Sequence, residues 1–323
     1  MINVVFYEAF KEEEGLLRQF LPKEISVKFT SQTIQEKQES ICPSDVISLR
    51  TQSVIPESWS DQLSGILTRS TGYDHLLAYQ EKTKTKAILG YLPDYCARAV
   101  AEQAILMMLF LLRKTKLQMQ NFIHFKRDSI TGYECEGKNL LVVGVGRIGS
   151  QIIKIGQGLG MNVKGVDIEP KVKEMEHVEL KEGMPWADVV VCALPLTKET
   201  RGMLNYDCFR RAERSVIFVN ISRGEISPTK DLRKLLGEGI LFGLGMDVYE
   251  GEKDIADNMR NSKKGADAKT KMILELEKRD NVIFTPHNAF NTQEAVYKKA
   301  EQSIAAIRMF LEKKTFPALV PQE

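Results

Sequence analysis

Apolar and polar positions alternate along this chain in short blocks, each about as long as one strand or one helix. Before residue 98, apolar runs at 2–7, 26–29, Val46–Leu49, 65–67 and 86–89 read as strands. Segments 13–20, 33–39 and 73–80 carry helical spacing between them. Such alternation predicts a parallel sheet covered on both faces. A second set of apolar runs follows at 140–143, 163–166, 189–193, Val216–Asn220, 242–246 and 282–285. Two sets predict an α/β protein of two doubly wound parallel-sheet domains.

The boundary is expected near Arg98, where a long helix runs from Ala99 to about residue 118. Its Leu106, Met107, Leu109, Phe110 and Leu111 cover nearly the whole circumference. A helix apolar on most faces is buried, either between domains or against another subunit. The Met107–Met108 pair reads as core filler. A last helix, 292–310, lies beyond the final strand and is expected to return to the first domain. The domains are therefore expected at 1–98 with 290–323, and at 99–289, with the site in the cleft between them. Segment 253–280 is rich in charge and reads as a solvated excursion ending in a short helix.

One junction carries chemistry. Four apolar residues, Leu140 to Val143, lead into Gly144, Gly146 and Gly149, spaced G-x-G-x-x-G. Helical spacing, a short strand and Asp167 follow in order. This is the fingerprint of a dinucleotide site. Gly144 permits the tight turn, Gly146 lets the backbone approach the pyrophosphate, and Gly149 lets the helix pack close to the strand. The helix N-terminus offers open N–H groups and a positive dipole end. Asp167 accepts from ribose hydroxyls and repels a 2′-phosphate, which favours NAD over NADP. Lys171 and Lys173 stand close enough in sequence to soften that preference.

Composition narrows the classes. The chain has 323 residues, 43% apolar, with net charge +2. That balance gives no electrostatic case for nucleic acid or an anionic membrane. Residues 1–8 read as a strand, not a signal peptide. The most apolar stretch, 99–112, is interrupted by Glu102 and Gln103 and is too short to span a bilayer. Cys42, Cys96, Cys135, Cys192 and Cys208 are odd in number, without C-x-x-C spacing or a histidine cluster. Buried thiols in a cytoplasmic protein are expected, with neither disulfides nor a metal site.

Three polar residues follow strands of the second set: Arg223, Glu252 and His287. Ligands bind at that end of the strands in open α/β sheets. An arginine fork binds a carboxylate. A histidine exchanges a proton with a developing alkoxide. A carboxylate beside that histidine orients the ring and stabilises its imidazolium form. Each also has a bland reading, as a structural histidine, a plain Arg-Gly turn and one charge of an acidic loop. Spacing leaves both readings open.

Over nearly its whole length the chain resembles the D-isomer-specific 2-hydroxyacid dehydrogenases, most closely the D-lactate dehydrogenase branch. The resemblance is carried by Val219 to Gly224, by Met246 to Glu252, by Thr285 to Phe290, by Leu194 to Thr197 and by Ala99 to Glu102. It implies a Rossmann NAD-binding domain, a flavodoxin-like substrate domain and a homodimer. It implies that His287 is the acid–base, Glu252 its partner and Arg223 the ligand of the substrate carboxylate and carbonyl. Thr71 and Gly72 match the loop whose N–H groups hold that carboxylate, and Tyr95 matches a pocket aromatic. Cofactor contacts are implied at Arg147, Ile148, Leu194, Pro195, Thr200, Ile221 and Asp247, besides the glycines and Asp167. Cys96-Ala97-Arg98 departs from common lactate enzymes, and His75 stands where many members have Asn.

The resemblance implies a 2-oxo acid, or its D-2-hydroxy acid, as the small-molecule partner. Arg50 and Arg69 each end a strand of the first sheet and are candidates to face the cleft. Arg50-Thr51-Gln52-Ser53 resembles a turn of phosphoglycerate-type members, where a dianionic substrate wants such charge. The competing reading of these arginines is a salt bridge. An NAD(H)-sensing interaction protein of corepressor type is the alternative function. A formate dehydrogenase fits less well, because that branch resembles Gln at the position of Glu252.

Overall fold

The computed structural model describes residues 3–169, 175–213, 215–260 and 267–321. Lys171 and Lys173 lie outside the described residues, as do Lys263 and Lys264 of the charged segment. The chain divides into two compact units, Met1–Cys96 with Asn291–Glu323, and Ala97–Phe290.

The first unit opens with Val4–Phe6 (β1), Lys11–Phe20 (α1), Val27–Phe29 (β2), Val46–Leu49 (β3), Gly65–Thr68 (β4), Asp74–Thr83 (α2) and Ile88–Gly90 (β5). The strands are parallel, in the order β2-β1-β3-β4-β5. β1, β3 and β4 are buried at every position, which is why they read as unbroken apolar runs rather than alternating ones. Segment 33–39 is not the helix its spacing predicts. One turn forms, from the Lys37 N–H to the Thr33 carbonyl, and Gln38 ends it with φ 55°. Ile34 is the segment's one apolar residue. That is too little to hold a helix face against the sheet.

The second unit runs through Ala97–Leu112 (α3), Thr115–Phe122 (α4), Asn139–Val143 (β6), Arg147–Gly158 (α5), Asn162–Val166 (β7), Glu176–His177 (β8), Leu180–Trp186 (α6) and Val189–Cys192 (β9). It continues with Tyr206–Phe209 (α7), Val216–Asn220 (β10), Thr229–Gly237 (α8), Leu241–Met246 (β11), Glu252–Arg260 (α9), Ala268–Glu277 (α10) and Val282–Phe284 (β12). Its strands are parallel in the order β12-β11-β10-β9-β6-β7-β8. The carboxyl ends of β6, β7, β9, β10, β11 and β12 therefore share one edge.

Two expectations are corrected in this unit. The long helix is two helices, because Lys114 adopts a left-handed conformation (φ 50°). α3 packs on α5, β10 and β11. The absent side chains of Gly243 and Gly245 admit it, since a Cβ there would lie 3.1 Å from Leu111 and 3.2 Å from Met107. Met107 and Met108 are buried, but Leu106 is 54% exposed. The charged excursion is largely helical, as α9 and α10. Their few buried residues, Ile255, Thr270, Ile273 and Leu276, anchor them and leave the remaining charge solvated.

A final helix, Gln293–Lys313 (α11), belongs to the first unit and packs on α1 and β4. Thr292 caps it by accepting the Ala295 N–H at 3.2 Å. Phe310 lies directly over Gly65, where a Cβ would come within 2.4 Å of the ring.

Candidate active site

The glycine turn sits between β6 and α5, beside β9, where the strand order of the sheet reverses. Gly144 has φ +98°, and a Cβ on it would lie 2.6 Å from the Ala193 backbone. A Cβ on Gly149 would lie 1.9 Å from the Gly144 carbonyl oxygen. Both glycines are thus demanded by the fold itself. Gly146 differs, because a Cβ there would meet nothing within 4 Å. It is exposed, and no side chain caps α5 at that end. An exposed glycine that its own fold does not require, at an uncapped helix N-terminus, fits close approach by a pyrophosphate.

Asp167, at the end of β7, accepts the Val145 N–H at 2.6 Å and the Glu169 N–H at 3.0 Å. Its carboxylate fixes the turn and has acceptor capacity beyond these two bonds. Arg147 is exposed and Ile148 half-buried beside it. Leu194 and Pro195 follow β9. Thr200 spends its hydroxyl closing that loop, donating to the Pro195 carbonyl at 2.7 Å and accepting the Thr197 N–H at 2.8 Å. Ile221 is buried at the end of β10.

Arg223 and His287 lie in the loops after β10 and β12, and Glu252 opens α9, after β11. The Nδ1 of His287 lies 2.7 Å from a carboxylate oxygen of Glu252, with both side chains about three-quarters buried. The carboxylate accepts, so Nδ1 donates and Nε2 is left for a ligand. His287 holds φ 52°, a conformation that costs energy for a non-glycine residue. Its loop is over-determined. Asp247 accepts the N–H groups of Asn288 (2.8 Å) and Ala289 (2.9 Å) and the Thr285 hydroxyl. Burial raises the Asp247 carboxyl above its usual range, against the hydrogen bonds it receives. Asp247 is 1% exposed, and these bonds make it a positioning residue for the histidine loop. Tyr249 donates to the Thr285 carbonyl at 2.8 Å and ties the acidic loop to the same segment.

Asn220 does the equivalent for arginine. Its side chain donates to the Arg223 carbonyl at 3.0 Å and to Ser227 at 2.9 Å, and accepts the Ser222 N–H at 2.9 Å. Gly224 brings the arginine loop against the acidic loop, since a Cβ on it would lie 1.9 Å from the Tyr249 backbone. Glu250, the neighbouring carboxylate, turns elsewhere, to Lys269 at 3.0 Å and the Thr229 N–H at 3.3 Å.

The remaining residues singled out in the sequence lie in the first unit. Ser70 shapes the loop after β4 by donating to the Gly72 carbonyl at 2.6 Å. The Thr71 hydroxyl lies 3.6 Å from the Cys96 thiol. Tyr95 is buried, and burial holds its phenol in the neutral form. Arg50 is half-buried, with its guanidinium 5.4 Å from the Phe10 ring centroid. Arg69 is fully buried on Glu13 at 2.9 Å, so its salt-bridge reading holds.

Asn220 and Tyr249 were not singled out from sequence. Each makes contacts through side chains whose direction spacing does not reveal. The residues matching a family model for the D-isomer-specific 2-hydroxyacid dehydrogenase NAD-binding domain are 105–289. This chain belongs to that family. It is 30% identical to a D-lactate dehydrogenase of Lactiplantibacillus plantarum over 268 residues, 81% of this chain and 80% of that one. It is 31% identical to a glyoxylate reductase of Pyrococcus furiosus over 269 residues, 79% of this chain and 74% of that one. The crystal structure of a D-lactate dehydrogenase from Aquifex aeolicus, complexed with NAD and lactic acid, superposes with TM-score 0.85 at 28% identity. That match covers 99% of this chain and all of the other. Family, two-domain α/β fold and NAD dependence, each expected from the sequence, are borne out. The protein is an NAD-dependent D-2-hydroxyacid dehydrogenase.

Proposed function

We propose that this dehydrogenase interconverts a small 2-oxo acid and its D-2-hydroxy acid, with His287 as acid–base, Glu252 as its partner and Arg223 as the carboxylate and carbonyl ligand. The observation that carries this reading is the 2.7 Å contact between His287 and Glu252, at a histidine held in a costly backbone conformation. Bound NADH supplies the hydride. His287 gives the Nε2 proton to the oxygen that becomes the alkoxide, and takes it back in the oxidative direction. Glu252 fixes the ring through Nδ1 and balances the imidazolium charge. Backbone N–H groups at Thr71 and Gly72 take the carboxylate, and Tyr95 borders the substrate's side chain. The glycine turn from Gly144 to Gly149 and Asp167 hold the cofactor, with Leu194, Pro195 and Ile221 beside it.

The test is NADH oxidation with a panel of 2-oxo acids. At least one should turn over, and His287→Ala should depress both directions by roughly 10²–10⁴. No turnover with any member, or a His287→Ala variant as active as the unaltered protein, would sink the assignment. The corepressor alternative is not favoured, because the relatives named above are a dehydrogenase and a reductase.

The assembly belongs to the same proposal, as a cytoplasmic homodimer. Its support is an apolar surface on and after α4. Met119, Phe122, Ile123 and Phe125 are each more than 60% exposed, and Leu106 of α3 is 54% exposed. Solvent-facing apolar residues this dense mark an interaction face. Among the described residues no helix is long and apolar enough to cross a membrane.

A further inference from the structure

His287 and Glu252 are 35 residues apart and follow different strands, so their 2.7 Å contact needs a brace between the two segments. Tyr249, three residues before Glu252, grips both. Its carbonyl oxygen accepts the Glu252 N–H at 3.2 Å. Its hydroxyl donates to the Thr285 carbonyl at 2.8 Å, and that same oxygen accepts the His287 N–H at 3.0 Å. One residue thus holds the glutamate backbone directly and the histidine backbone through a shared oxygen. The hydroxyl also reaches the Met246 carbonyl, at 3.2 Å, where β11 ends.

The side chain is firmly seated. Tyr249 is buried, with its ring edge-on to Phe284 of β12 at 5.4 Å. Burial raises the phenol well above its usual range, and the carboxylates of Asp247 and Glu252 push the same way. The hydroxyl therefore stays a donor through the neutral range.

Neither acceptor depends on that donor. Met246 already takes the Thr285 N–H at 3.0 Å, and Thr285 takes the His287 N–H. A phenylalanine would fill the same space against Phe284 and orphan neither carbonyl. What the hydroxyl adds is a link between the acidic segment and the histidine loop. Asp247 grips the far side of His287, at Asn288 and Ala289. Tyr249 grips the near side. A backbone at φ 52° persists only where its surroundings over-determine it, and the two grips together do so.

We infer that Tyr249 is a positioning residue for proton transfer, whose hydroxyl fixes the His287 ring on the Glu252 carboxylate and so fixes where Nε2 points. This rests on the acid–base reading above and deepens it.

The test is Tyr249→Phe, assayed with a 2-oxo acid that the unaltered protein reduces. kcat should fall roughly 3- to 10-fold, the worth of one neutral hydrogen bond, with KM, NADH Kd and urea midpoint little changed. The solvent deuterium isotope effect on kcat should rise, because proton transfer becomes slower. A mere loss of folded protein would lower kcat without moving that isotope effect. In Glu252→Ala, where the contact is already gone, adding Tyr249→Phe should cost less than about twofold more. The same loss in both backgrounds would overturn the inference. So would an unchanged kcat and isotope effect in Tyr249→Phe while His287→Ala is depressed, and the acid–base reading would then stand alone. The downfield Nδ1 proton resonance of His287, identified by its absence from Glu252→Ala, reads the contact without turnover. It should broaden or vanish in Tyr249→Phe even if no acid is reduced, in which case the acid–base reading fails and the positioning role holds. An unchanged resonance would overturn the inference.

Discussion

One added methyl group should do opposite things at two glycines three residues apart. At Gly149, a Cβ would sit 1.9 Å from the Gly144 carbonyl oxygen, where real contacts stay beyond 3.0 Å. α5 must then move off β6 by more than 1 Å, against a buried sheet. Overpacking of this kind costs about 1–3 kcal/mol. At Gly146, nothing lies within 4 Å of the added carbon and φ is −79°, so stability should change by less than about 1 kcal/mol. The carbon would instead occupy the space through which the backbone N–H groups reach a pyrophosphate. Losing one charge-assisted hydrogen bond is worth about 1.5–3 kcal/mol, so Gly146→Ala should raise the NADH Kd roughly 10- to 100-fold. Urea unfolding and fluorescence titration with NADH separate the two effects. Gly149→Ala should unfold at lower urea, and Gly146→Ala should unfold like the unaltered protein but bind NADH poorly. Unchanged NADH affinity in Gly146→Ala would refute the turn as the pyrophosphate site. Unchanged stability in Gly149→Ala would refute the close helix–strand packing.

Cofactor choice should follow Asp167. NADH should support turnover well above NADPH, and Asp167→Ala should lose NADH affinity and narrow the gap, as read by initial rates with each cofactor. In mass by light scattering at micromolar concentration the protein should be a dimer, and a monomeric mass refutes the α4 surface as its interface. The buried ion cluster should shape stability against pH. Burial works to raise the Glu13 carboxyl, but Arg69 and Lys299 outweigh it and hold it at about 2, below the unfolded 4.5. Its contribution is therefore present above pH 4.5 and is lost as pH falls through about 2. Lys299 is lowered from 10.5 to about 7, so between those values the unfolded chain holds a proton that the folded one lacks, and stability rises with pH. Lys299→Met should flatten the rise in urea midpoint between pH 7 and 9, and an unaltered slope would show that Lys299 does not titrate there.

What was legible in the sequence was whatever one segment decides alone. β6, β9 and β10 are buried at nearly every position, so their apolar runs are unambiguous. The glycine turn and Asp167 lie in one continuous stretch, and the histidine, glutamate and arginine follow strands that could be counted. What was hidden depends on distant partners. Nothing in the sequence announces that the Asp247 carboxylate accepts the Ala289 N–H, 42 residues away. The break at Lys114 has no glycine or proline to announce it. α9 and α10 carry so few buried side chains that their charge dominated the pattern. Lys299 did leave a signal, a lone charge on a helix face shared with Val296, Ser303, Ile307 and Phe310, but its meaning required Glu13 and Arg69 from other strands and helices.

The first unit is written in two instalments, and the second unit is written between them. Residues 97–290 have a complete sheet and core of their own, and can condense as soon as they are made. Residues 1–96 cannot finish at that stage. Until α11 is synthesised, Gly65 faces an empty space where Phe310 belongs, Gly90 lacks Phe316, and Glu13 has Arg69 without Lys299. The oldest part of the chain is thus the last to mature, and it waits with an apolar sheet face uncovered through the whole synthesis of its neighbour. The half made in two pieces therefore bears the greater exposure to misassembly, while the half built around the glycine turn is finished early.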